Sequence, residues 1–249
     1  MADPYSTLRE FVRIQREELS ADESNYFAAV FGDTLQYLEY LTVVLERYNE
    51  SNAPYVKDFR EMVERNKQEP SGVSRQMTDA EVEEMNRRGQ AQRQLQLEIE
   101  TFFLFANILL DRIAAATEYY FGRGKRQWRS FDAMRQFLTE YAKNRGLSEP
   151  AELVDLVAWL ADNVATMRHE LQVHKHDRDY TVRVHFGMGI DASDETFLTP
   201  GLLYPKEGEA LDMKFERPRV VYEQLGKFIA VWTKYLDENK TRRVLEPPP

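Results

Sequence analysis

The chain of 249 residues contains no cysteine. That absence excludes disulfides, thiolate metal sites and a cysteine nucleophile, and it suits a reducing cytosol. Gly-rich phosphate loops, a Gly-x-Ser-x-Gly elbow and a His-Glu-x-x-His pair are all missing. Long apolar runs are missing too. The most apolar stretch, Phe102 to Leu110, ends at Asp111-Arg112 and is too short to span a bilayer, so no membrane partner is expected. Met1-Ala2-Asp3-Pro4 has neither the basic nor the apolar region of a signal peptide, and a cytoplasmic location is expected. Positive charge is in deficit, with a net charge of −9. Contact with nucleic acid would therefore need a local basic patch. Histidine is scarce at four residues, so where the histidines fall carries information.

Apolar residues make up 43% of the chain, with 14 Phe, 13 Tyr and 3 Trp, which is enough for a sizeable core. Their spacing is mostly helical. A short helix is expected over 5–18, and steps of three and four from Phe27 through Leu45 predict another over 22–49. Asn49 to Pro54 reads as a turn, 55–67 as a polar helix and 68–76 as a loop. Thr78 and Glu81 form a capping box ahead of a pattern that runs to Phe121 and ends at Gly122 and Gly124, with Gly89 as a candidate break. This helix is polar at first and apolar nearly all round from Leu95. Within it Glu100, Asn107, Asp111 and Glu118 form one stripe. That stripe reads either as a solvent-facing seam or as the lining of a cleft.

Ser130 is placed to cap a helix over 131–144 that Gly146 closes. Pro150 opens the next, whose stripe Leu153, Leu156, Val157, Leu160, Val164 and Met167 faces a core. The period then changes to two over Tyr180–Phe186, which predicts a strand, and 187–217 reads as loops with one or two short strands. Pro218 begins a last helix over 219–238 with apolar Val221, Leu225, Phe228, Ile229, Trp232 and Tyr235. The expected fold is mainly α: one helical-bundle domain over 1–240, a small β insertion at about 180–215 before the last helix, and a disordered tail over 241–249.

Two clusters bear chemistry. The first is Arg168-His169-Glu170-Leu171-Gln172-Val173-His174-Lys175-His176, which holds three histidines; His185 follows nine residues later. An arginine fork suits phosphate and an imidazole moves protons near neutral pH, so the pair suits phosphodiester chemistry without a metal or other cofactor. Glu170 lies at i, i+4 from His174 and is placed to orient its ring. On an ideal helix Arg168 and His174 stand about 120° apart. Either the helix ends between them or a second copy of the chain completes the site. The bland reading is an Arg and a His on a polar helix face. A metal site is the rival, with Asp177 and Asp179 as added oxygen donors, yet His169 and His174 are five apart rather than four. The second cluster is Arg123, Lys125, Arg126, Trp128 and Arg129. It reads either as an RNA contact with a stacking indole or as a solvated connection whose Trp caps the core.

The apolar helix carrying Leu110-Asp111-Arg112, followed by a helix ending in Arg168-His169-x4-His174, resembles the HEPN superfamily (higher eukaryotes and prokaryotes nucleotide-binding). The resemblance covers about a third of the chain, mainly 95–121 and 153–176. It implies a helical bundle and a metal-independent endoribonuclease that acts as a homodimer on RNA. Arg168 and His174 would be catalytic, supported by His169, Glu170 and Asp111. His169 departs from the Asn or Asp more usual after the arginine. The resemblance equally admits a non-catalytic module that dimerises or binds a nucleotide or protein.

Overall fold

A computed structural model describes residues 3–68, 77–125, 127–128, 130–165, 167, 183–203, 210–212 and 215–246. The fold is mainly α, with a small sheet inserted before the last helix. The elements in chain order are α1 (Pro4–Glu17), α2 (Ala21–Gln68), α3 (Asp79–Phe121), α4 (Phe131–Arg145) and α5 (Ala151–Leu160), which continues as a π turn over Ala161–Ala165. Then come β1 (Arg183–Ile190), β2 (Thr196–Leu203), β3 (Ala210–Asp212), α6 (Pro218–Glu238) and a 3₁₀ turn, Lys240–Arg242. Among the described residues no helix is long and apolar enough to cross a membrane.

The contacts divide the chain into two compact units. One comprises Met1–Thr42, Phe103–Asp177 and Arg219–Pro249; the other comprises Val43–Phe102 and Arg178–Pro218.

The larger unit is built on aromatic packing. Phe27 and Phe31 stack at 4.3 Å between ring centroids, one turn apart on α2, and Phe31 meets Trp232 of α6 at 5.7 Å. The Trp232 indole N–H donates to Thr117 Oγ1 at 2.9 Å, so its polar edge is satisfied at full burial. Gln15 of α1, also buried, accepts from the Tyr120 hydroxyl at 3.0 Å and donates to Asp237 at 3.1 Å, which ties α1 to α3 and α6. The expected core positions of α5 and α6, from Leu153 to Met167 and from Val221 to Tyr235, are buried as the period predicts, apart from the half-buried Leu156. The segment after the 3₁₀ turn is held too. Val244 and Glu246 donate backbone N–H groups to Tyr120 and Tyr119 carbonyls at 2.8 and 3.0 Å, so the chain has a defined path as far as Glu246.

The smaller unit corrects two expectations. The turn at Asn49–Pro54 does not form; α2 runs through Pro54. A proline inside a helix costs about 3 kcal/mol through its missing N–H and ring clash. The offset comes from Tyr48, Asn52 and Val56, spaced four apart on one buried face. Tyr48 donates to the Thr196 carbonyl at 2.8 Å, while Asn52 accepts from the Thr196 N–H at 3.1 Å and its hydroxyl at 2.6 Å. Those bonds exist only if 48 and 52 stay in helical register.

The second correction concerns Gly187-Met188-Gly189, which belongs to β1 rather than to a loop. β1 and β2 are antiparallel, with Gly189 opposite Phe197, and the Phe197 ring occupies the space where a side chain at 189 would begin. Only glycine lets that ring lie over the strand. Pro200 is accommodated within β2 because the pairing with β3 begins one residue later, at Gly201.

The capping box at Thr78 is present, with Thr78 N–H donating to Glu81 at 2.7 Å, and α3 continues through Gly89 without a break.

Asn52→Ala should leave the buried Thr196 N–H without its acceptor and lower stability by about 1–3 kcal/mol. Urea denaturation checks this; the expected result is a lower midpoint at unchanged slope. An unchanged midpoint would mean that the Pro54 crossing rests on other contacts.

Candidate functional site: an anchored basic connection

The connection between α3 and α4 is where the described site residues meet. It is pinned from both sides by α3. Asp111 Oδ1 accepts the Phe131 backbone N–H at 2.8 Å, and Asn107 donates to Asp111 Oδ2 at 3.2 Å. Asp111 thus sits at the N-terminus of α4, where a negative charge also meets the positive end of the helix dipole. Ser130 caps the same end through its hydroxyl, which accepts from Ala133 N–H.

Two turns further along α3, Glu118 lies near the backbone N–H groups of Trp128 and Gly124. Two members of the α3 seam are buried, Asn107 and Glu118 at 3% and 7% exposed, while Glu100 and Asp111 are half-buried. Burial is the larger influence on Glu118 and raises its pKa, while the Trp128 and Gly124 amides and the Arg123 and Arg145 charges pull the other way. Its Oε1 is buried without a hydrogen-bond partner.

The connection begins at Gly122, whose φ of 83° favours glycine; a side chain there would also press on the Arg145 guanidinium, 3.1 Å from the Cβ position. The Tyr141 hydroxyl donates to the Gly122 carbonyl, and the Arg123 N–H donates to the Glu246 carboxylate at 2.9 Å. Arg123 is half-buried and Lys125 exposed. Trp128 is 5% exposed, with its ring 4.4 Å from that of Tyr141. Of the two readings of this cluster, the geometry gives the indole the core-capping one and leaves the cations near the surface. Arg126 and Arg129 lie outside the described residues, as do Arg168, His169, Glu170 and His174. Ahead of that segment, the π turn keeps Ala161, Val164 and Met167 buried, and Asp162 pairs with Arg135 of α4 at 2.8 Å. Among the described residues no group of three His, Asp or Glu is placed to hold a metal ion.

Two small cavities flank the connection. One, of about 190 Å³, lies against α4 and is lined by Lys125, Trp128, Phe137, Glu140, Tyr141 and Asn144. The other, of about 170 Å³, lies beside α3 and includes Arg112, Glu118 and Arg123. The α4 residues were not among the sequence candidates. Phe137, Glu140, Tyr141 and Asn144 follow an i, i+3, i+4, i+7 spacing, a signal that reads as core until the face is seen to border a cavity. Comparison with protein-family models, curated proteins and solved structures finds no match to this chain.

Folding raises the Glu118 pKa, so the native state holds that proton more tightly than the unfolded chain. The stability tied to this group is full below the ordinary carboxylate range and is lost as pH rises through the raised folded value. Glu118→Gln should remove that decline. Thermal melts should show the variant at or above the parent near pH 8, and the difference should shrink as the solution is acidified. A variant less stable than the parent near pH 8, with the deficit shrinking on acidification, would mean that the carboxylate charge itself holds the connection.

Proposed function

We propose that the chain is a metal-independent endoribonuclease of HEPN type, working as a homodimer with RNA between two protomers. The observation that carries this reading is the run Arg168-His169-x4-His174, placed immediately after an amphipathic helix whose last described residue, Met167, is fully buried. Arg168 grips the scissile phosphate and stabilises its developing charge. His174 takes the proton from the ribose 2′-hydroxyl. The 2′-oxygen bonds to phosphorus, the bond to the 5′-oxygen breaks, and the proton is delivered to that leaving oxygen. The products are a 2′,3′-cyclic phosphate and a 5′-hydroxyl. The offset of about 120° between the two residues on an ideal helix favours a site completed by a second copy. Arg123 and Lys125 add positive charge on a connection that Asp111 and Glu118 anchor.

A non-catalytic binding module is the second reading. The observation favouring it is that Trp128 is buried on Tyr141 and Asp111 caps α4, so two candidate site residues already have structural duties.

Purified protein incubated with mixed RNAs in EDTA should cleave them to cyclic-phosphate ends. His174→Ala should lower the rate by roughly 10²–10⁴-fold, and Arg168→Lys should also be severe because lysine lacks the planar fork. Equal survival of RNA with the parent and with His174→Ala would leave the binding module as the better account.

A further inference from the structure

The cavity against α4 has a definite chemistry. One wall is a single stripe of α4, where Phe137, Glu140, Tyr141 and Asn144 recur at helical spacing. The other is the anchored connection, with Gly124, Lys125 and the edge of Trp128. At about 190 Å³ it is smaller than the roughly 300 Å³ at which drug-sized sites begin, so it suits one flat ring. Its floor is aromatic, and its rim holds a carboxylate, a carboxamide and an ammonium.

An organic cation is a poor fit. Lys125 lines the cavity, and the Arg145 guanidinium already lies 5.9 Å from the centre of the Tyr141 ring. A base attached to a phosphate suits the same charges. Its ring gains the aromatic surface, its phosphate meets Lys125, and its edge meets Glu140 and Asn144. A carboxylate only accepts hydrogen bonds, so Glu140 selects a base with an exocyclic amino group. Adenine, cytosine and guanine carry one; the one edge donor of uracil, N3–H, is flanked by two carbonyl oxygens that repel a carboxylate.

We propose that the cavity between α4 and the 122–130 connection binds one amino-bearing nucleobase of an RNA strand. This deepens the nuclease reading and rests on it for the identity of the strand.

Titration of the intact protein with the four ribonucleoside 5′-monophosphates, followed by calorimetry, tests the site without any cleavage. AMP, CMP or GMP should saturate with a dissociation constant on the order of 1 mM, and UMP should bind more weakly. Phe137→Ala should weaken binding by roughly 5- to 150-fold, the range for loss of one base-stacking ring. Glu140→Gln, at an exposed position, should keep the fold and erase the preference over UMP. The proposal is overturned if none of the four saturates, if Phe137→Ala with an unchanged melting temperature binds like the parent, or if tetramethylammonium binds in preference to the nucleotides. The two readings separate cleanly. RNA cleavage that needs Arg168 and His174 without nucleotide binding at this cavity removes the base pocket and keeps the nuclease. Nucleotide binding with the predicted variant pattern and intact RNA does the reverse.

Discussion

A buried carboxylate resists ionising, and Glu118 is buried on α3 beside the segment that follows its own helix, with burial raising its pKa. That constraint organises the region. The nearby Trp128 and Gly124 amides offset part of that cost, which favours a connection held against α3. Trp128 then packs on Tyr141, Tyr141 holds the Gly122 carbonyl, and Asp111 receives the first N–H of α4. Arg123 and Lys125 are carried on a backbone held by these bonds. Exposed ion pairs contribute about 0–1 kcal/mol. A backbone N–H buried without its acceptor costs more than that.

A similar logic operates in the smaller unit. Thr196 is fully buried in β2, and its polar groups are met by Tyr48 and Asn52 of α2. The sheet edge and the helix thereby satisfy each other, and the helix stays in register across Pro54. The short turn between β1 and β2 is closed by Asp191, which accepts from the Ser193 and Glu195 N–H groups at 2.8 and 3.2 Å, while Arg217 reaches back to the Asp191 carboxylate.

The proposed chemistry and the anchored connection belong to different stretches of sequence, and their relation is what the nuclease reading adds. A general base and an arginine perform transesterification only on a strand that is held in place. On the proposed reading, Lys125 and a cavity for one base would hold it. An acidic chain with net charge −9 gains little from long-range attraction to RNA, so on that reading local, geometrically defined contacts would supply the affinity.

Periodicity and caps in the sequence were sufficient for the helices apart from the course of α2 through Pro54. The stripes of α5 and α6, the Thr78 capping box, the Ser130 cap and the change to period two before the last helix each depend on neighbours within a few residues. Such signals are local, and local energetics decided them. The Arg168–His174 run, too, is a property of the sequence, and the chemistry proposed for it rests on the arginine fork and on an imidazole that titrates near neutral pH. Tertiary contacts alone decided the rest. Pro54 stays helical because Tyr48 and Asn52 meet Thr196, roughly 140 residues away in sequence, and no local rule contains that pairing. Gly187 and Gly189 join a strand because Phe197 covers the second of them. Glu118 looked like one member of a polar stripe; only folding places two backbone N–H groups against it and removes the water that would otherwise solvate it.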